Sequence, residues 1–245
     1  MVESEKLFQV FSKWLFETLY KNRYLYRFAS TVPFAGQWRI WQRQVLSRLH
    51  GHDVLELGCG LGDLLADMIS AGYNCRAIEQ SSEMVDAARS TLQKRNLGET
   101  TWIIQGQSQC LPFPNSSFDT VVSTFPSEYI CDPNTIFEVE RVLRPGGCLI
   151  VIVAGKLLPV NPIQSFLLLI QMFVYGPAVF FEPGKELKRN YQTSTTGITS
   201  EVVSDAWIEK RIPLEQLGLA QHCELVRSHH WELYILIGEK LGGYK

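Results

Sequence analysis

Gly58, Gly60 and Gly62 follow the apolar run VLEL, with Glu56 just ahead of them and Glu79 at position 21 after Gly58. Glycine has no Cβ, so such a loop can turn sharply and let a ligand approach the backbone closely. Phosphate binding is the first chemistry to weigh. The dinucleotide frame G-x-G-x-x-G/A requires Gly or Ala at position 63, where the chain has Asp63. A carboxylate beside a helix N-terminus is poorly suited to a pyrophosphate. No Gly-Lys-Ser/Thr follows, so a Walker loop fails outright.

A ligand without phosphate fits better: an adenosine bearing a cationic, amino-acid-like tail, as in S-adenosylmethionine. Glu56 then suits the amino group, and Glu79 can accept protons from both ribose hydroxyls. The segment QGQSQCLPFPNSSFD (105–119) could line the adenine. Its two prolines stiffen the loop whatever it binds.

These residues need a scaffold that brings strand ends together. Strands are expected at Asp53–Leu57, Asn74–Glu79, Thr101–Gln105, Phe118–Ser123 and Gly147–Val153. Between them apolar residues recur at helical spacing: Leu64, Leu65, Met68 and Ile69; Met84, Ala87, Ala88 and Leu92; Ile136, Val139 and Leu143. Gly72 can end the first helix, Ser81 or Ser82 can cap the second, and Asp132-Pro133 can open the third. Strands alternating with helices give βαβ units and a parallel sheet covered on both faces. Gln221–Arg227 and Trp231–Gly238 read as a closing hairpin with its turn at Ser228–His230. In such a sheet, ligands bind at the carboxyl ends of the strands.

Four blocks in this order, VLELGCGLGDLL, AIEQSSEMVDAAR, LPFPNSSFDTVVSTF and IFEVERVLRPGGCLIVI, cover roughly residues 52–154. Together they resemble the class I S-adenosylmethionine-dependent methyltransferases of the ubiquinone/menaquinone-methyltransferase-like group. The resemblance implies an α/β Rossmann-like fold: a seven-stranded, mostly parallel sheet with the last strand antiparallel and helices on both faces. It also implies S-adenosyl-L-methionine as cofactor. Carried over by position, Gly58, Cys59, Gly60 and Gly62 form the methionine-side loop and Glu56 faces the amino group. Glu79 holds the ribose, with Gln80 beside it. Gln107 stands where many relatives have Asp or Asn against the adenine, and Ser108 where Ala is frequent. Thr124 lies near the methyl-donor end. Phe125, Glu128 and Tyr129 fall on the acceptor side, with Glu128 as a candidate base and Tyr129 as a candidate orienting hydroxyl. No catalytic residue stands out, and methyl transfer from a sulfonium needs a base only if the acceptor must lose a proton. Two weaker readings remain: a methyltransferase-like protein that binds the cofactor without transfer, and an NAD(P)-dependent oxidoreductase.

With 46% hydrophobic residues and a formal net charge of −2, the chain has the balance of a globular protein and no global reason to bind nucleic acid. Six cysteines lack C-x-x-C or Cys/His spacing, so neither metal nor a redox pair is expected. His222, His229 and His230 are expected at the closing hairpin, away from the pocket. MVESEKLFQVF has early acids and no uninterrupted apolar stretch, so a cytoplasmic setting is the default.

A single domain is expected: a helical cap (1–50), a cofactor core (51–157), an apolar lid (158–212) and the closing strands (213–245). The cap carries eight Lys/Arg and eleven aromatics against three acids, with Leu7, Phe11, Leu15 and Leu19 in a stripe. Ile163–Phe181 is uncharged throughout. It reads as a greasy lid helix, because a single span there would strand the last two strands across a bilayer. Both segments favour a small, bulky apolar acceptor, quinone-like or lipid, met with peripheral membrane contact. Oligomeric state is not legible.

Overall fold

The computed structural model describes residues 23–97, 102–158, 165–167, 191–193, 198–203, 212 and 214–242. The Leu7–Leu19 stripe and nearly all of the 161–184 stretch lie outside these residues.

The elements are α1 (Arg23–Thr31), α2 (Gln37–Gln42), a 3-10 turn (Arg43–Arg48), β1 (Asp53–Leu57), α3 (Asp63–Ser70), β2 (Asn74–Glu79), α4 (Ser82–Lys94), β3 (Trp102–Gln105) and β4 (Phe118–Thr124). After a 3-10 turn at Glu128–Cys131 come α5 (Pro133–Val142), β5 (Leu143–Leu157), β6 (Tyr191–Thr193), β7 (Thr199–Val203), β8 (Leu219–Ser228) and β9 (Trp231–Lys240). Among the described residues, one nine-stranded sheet runs in the order β3-β2-β1-β4-β5-β9-β8-β7-β6.

Strands β1 to β5 are parallel, and β9 enters antiparallel beside β5. The expected seven strands are therefore present as β1–β5, β8 and β9. The sheet departs from seven by the short pair β6 and β7, which extends its β8 edge in antiparallel register within the stretch expected to be a lid. Their sequences, YQT and TSEVV, are short and partly polar, as an edge permits.

Each helix forms for a local reason. Ser81 caps α4 by accepting from the Met84 N–H. Asp132 caps α5 by accepting from the Asn134 N–H at 2.9 Å, with Pro133 at the first position. Asp63 sits in the first turn of α3, where an acid complements the helix dipole.

Side-chain alternation along β1 sorts the core into two layers. Val54 joins the layer against α2, α3 and α4, whereas Leu55 and Leu57 join the layer against α5. Glu56 therefore points into the first, apolar layer, where Ala77 and Val122 flank it in register. The other end of β1 is fixed by Asp119, which accepts from the His52 and Asp53 N–H groups at 2.8 and 3.0 Å and pairs with Arg144 at 2.6 Å. No helix of the described residues is long and apolar enough to cross a membrane.

Candidate functional site

The carboxyl ends of β1, β2 and β4 converge on the glycine loop. All three glycines have positive φ, +69° at Gly58, +51° at Gly60 and +73° at Gly62, so the loop takes a backbone that other residues rarely adopt. The reasons differ along the loop. A Cβ at Gly62 would lie 2.9 Å from the Ala88 backbone, so Gly62 lets α3 and α4 approach each other. A Cβ at Gly58 would lie 2.8 Å from the Tyr129 hydroxyl, whereas the nearest atom to one at Gly60 would be the Tyr26 hydroxyl, at an ordinary 3.6 Å.

Glu79 is buried and grips this loop. Its Oε2 accepts from the Gly60 N–H at 2.9 Å and its Oε1 from the Ser81 N–H at 3.0 Å. Each oxygen keeps a further lone pair for a hydroxyl donor.

Glu56 is buried almost completely, and its Oε2 has no hydrogen-bond partner. Desolvation, reinforced by the Glu79 charge, raises its pKa to about 8. Arg39 acts in the opposite direction without cancelling this. The same burial pushes the Cys59 thiol well above its ordinary value, so Cys59 is a packed thiol and not a nucleophile.

Tyr129 uses its hydroxyl on the scaffold. It donates to the Leu57 carbonyl at 3.0 Å and lies 2.7 Å from the Ser123 hydroxyl, tying the ends of β1 and β4 together. That is a bracing role, distinct from the acceptor-orienting one the sequence suggested. Tyr129→Phe should cost about 1 kcal/mol of stability in urea unfolding and leave ligand affinity nearly unchanged.

Beyond β4, Phe125 has φ +49°, and Trp38 stacks on it with centroids 4.0 Å apart. Phe34 and Trp41 extend this into an aromatic wall, with Phe34–Trp38 at 5.0 Å and Phe34–Trp41 at 5.5 Å. Thr124 is joined to α2 by a 3.2 Å hydrogen bond from the Gln42 amide. Of the other expected residues, Ser108 is buried near the β3 end, while Gln80, Gln107 and Glu128 are exposed. His229 and His230 stack on each other at the closing hairpin.

The sequence did not single out Tyr26, Trp38, Arg39 and Gln42, which close the loop from above and line a cavity with Gly58, Cys59 and Thr124. Their signal was the density of aromatic and basic residues in the cap. The cavity measures about 40 Å³, whereas a small-molecule site is typically ~300–1,000 Å³. Helices α1 and α2 thus lie close over the glycine loop.

Charge fastens the cap. Asp67 pairs with Arg39 at 2.5 Å, Arg95 at 2.8 Å and Arg43 at 3.1 Å. Asp63 lies 3.5 Å from both Arg27 and Arg95.

Comparison with known proteins shows what one stretch of the chain is similar to. Residues 55–151 match the model of a family described as a methyltransferase domain. Over that stretch, about two fifths of its length, the chain is similar to methyltransferases. The chain is 29% identical over 149 residues to a demethylmenaquinone methyltransferase of Symbiobacterium thermophilum, covering 58% of each chain. It is 31% identical over 137 residues to a ubiquinone/menaquinone biosynthesis C-methyltransferase of Hahella chejuensis, covering 53% of this chain and 54% of that one. The chain thus spans little more than half the length of these curated relatives. A solved putative S-adenosyl-L-methionine-dependent methyltransferase of Methanococcus maripaludis shares its fold. The TM-score is 0.56 at 16% identity, over 89% of this chain and 91% of that one. A SAM-dependent methyltransferase of Aquifex aeolicus does so at TM-score 0.51 and 18% identity, over 84% and 93%.

Proposed function

We propose that the protein transfers a methyl group from S-adenosylmethionine to a small, apolar, ring-bearing acceptor of the quinone type. The observation that carries the cofactor half is the buried, unpartnered Oε2 of Glu56 beneath the glycine loop. A cationic amino group is the partner that would satisfy it, since it favours the charged carboxylate. Glu79 would hold the ribose through the lone pairs that Gly60 and Ser81 leave unused. Gly60, where a Cβ would meet nothing closer than the Tyr26 side chain at 3.6 Å, would take the tail by close approach. Ser108 and Gln107 would lie toward the adenine.

The bound cofactor supplies an electrophilic methyl carbon with a neutral thioether as leaving group. The chain's own contribution is positioning and dryness. Thr124, fixed by Gln42, would border the donor end, and the closely packed cap would exclude water. The aromatic wall of Phe34, Trp38 and Phe125 suits a flat apolar acceptor by stacking. This agrees with the quinone-type acceptors named for the curated relatives. Six free thiols, four of them buried, suit a reducing compartment, and we assign the protein to the cytoplasm.

The test offers labelled S-adenosylmethionine with a demethylated menaquinone analogue, a phenol and a pool of polar metabolites. Label is expected in the ring-bearing acceptors. Label confined to polar metabolites would overturn the acceptor class, and NADPH binding without S-adenosylmethionine binding would overturn the cofactor. Exposed Glu128 lies outside the cavity lining, so Glu128→Gln should leave calorimetric cofactor affinity within about twofold of wild type.

A further inference from the structure

The outer face of the cap carries an apolar ridge set among cations. Phe28, Val32 and Ile40 are 62%, 43% and 43% exposed. Ala29 and Ser30 are buried on the side of α1 opposite Phe28, so the helix presents apolar residues inward and outward alike. An outward apolar face of this kind needs an explanation that packing on the core does not provide.

The surrounding charges suggest what covers it. The arginines that fasten the cap exceed their acids in number and in exposure. The Arg27 and Arg43 side chains are 55% and 60% exposed, while those of Asp63 and Asp67 are only 17% and 7%. Lys94, at the end of α4, adds a fifth cation to the four guanidiniums that share these two carboxylates. These two acids point inward and their cations outward, and the exposed Asp86 of α4 is matched by Arg89 at 3.7 Å, so the cations of the cap are the charges left facing out.

Between α1 and α4 lies a second cavity of about 180 Å³, lined by Arg27, Lys94, Ser90 and Thr91 over a floor of Leu61 and Ala87. Two cations and two hydroxyls above apolar groups match a phosphate head with hydrocarbon behind it. Arg27 lines this cavity and also the one above the glycine loop.

We propose that this face docks on an anionic lipid surface, with Phe28, Val32 and Ile40 entering the headgroup boundary and the Arg27–Lys94 cleft taking a lipid phosphate. Aromatic and aliphatic groups flanked by arginine and lysine are the composition that binds charged bilayers. Docking there sets the cap, and hence the cavity it closes, against the phase in which an apolar acceptor dissolves. The proposal extends the acceptor reading above without depending on it, because vesicle binding is measured without methyl transfer.

The test is co-sedimentation of the full chain with phosphatidylcholine vesicles, with and without phosphatidylglycerol, at rising salt. Binding is expected only with phosphatidylglycerol and should fall as salt rises. Lys94→Gln should weaken it about fivefold, and Phe28→Ser combined with Val32→Ser at least about tenfold. Far-UV circular dichroism and S-adenosylmethionine titration check that each variant is folded. Equal binding to both vesicle types, or folded variants that bind as wild type does, would overturn the proposal. So would a wild-type dimer in gel filtration that Phe28→Ser dissociates without affecting vesicle binding, since the face would then be a contact between copies.

Discussion

Glu56→Gln is expected to stabilise the ligand-free protein at alkaline pH while weakening its hold on S-adenosylmethionine. In the folded chain Glu56 keeps its proton up to about pH 8, against an ordinary value of 4.5. Between those two values the unfolded chain has already released the proton that the folded chain still binds. Raising the pH therefore favours unfolding, by about 1.4 kcal/mol per pH unit, until Glu56 ionises in the folded state as well. The contribution is fully present near pH 4.5 and lost above pH 8, with a ceiling of about 5 kcal/mol. Glutamine, nearly isosteric with the protonated acid, removes that slope. Urea unfolding at pH 5, 7 and 9 should show wild type losing several kcal/mol relative to Glu56→Gln across the series. Parallel stability curves would mean that Glu56 does not titrate as its burial requires.

The binding half of this prediction has the opposite sign. An ammonium group beside Glu56 favours the charged carboxylate, so binding at pH 7 should release a proton and tighten as the pH rises toward 8. Calorimetry in buffers of different ionisation enthalpy measures that release. Glu56→Gln should abolish it and lower affinity at pH 9 by at least about tenfold. One substitution that stabilises the empty protein and weakens the complex would identify Glu56 as a residue kept for ligand and not for folding.

The sheet was legible because its central strands are buried on both faces and therefore apolar throughout, which sets them apart from the periodic helices. Asp53–Leu57 and Asn74–Glu79 were read to the residue for that reason. Strands β6 and β7 were not, because edge strands need no such run and YQT or TSEVV resembles loop. Within the site, the local pieces were visible: glycines before a helix, and an acid at the end of each of two strands. The long-range pieces were not. Gln42 reaches Thr124 across 82 residues and Arg39 reaches Asp67 across 28, and no spacing rule encodes either pair. Nor did the sequence distinguish a glycine kept for packing from one kept for a ligand, since both occur in the same G-x-G-x-G frame.

That distinction gives the second large effect. Gly60→Val and Gly62→Val place the same side chain two residues apart, both on left-handed backbone, so both incur a conformational cost of ~1–2 kcal/mol. At Gly62 the new Cβ also meets the Ala88 backbone at 2.9 Å and its Cβ at 2.8 Å. Backbone inside a helix cannot move aside as a flexible side chain can, so α3 and α4 must separate. The total for Gly62→Val should reach roughly 2–5 kcal/mol. At Gly60 the nearest atoms belong to the Tyr26 side chain, at ordinary contact distance, so the fold should survive with the conformational cost alone. The branched side chain would nonetheless project from the backbone where close approach is required, and S-adenosylmethionine affinity should fall at least about a hundredfold. Urea midpoints and calorimetric titration of the two proteins decide the matter together. A Gly60→Val protein that is folded and binds normally would remove the loop from the cofactor site. A Gly62→Val protein as stable as Gly60→Val would show that α3 and α4 do not depend on that glycine to pack.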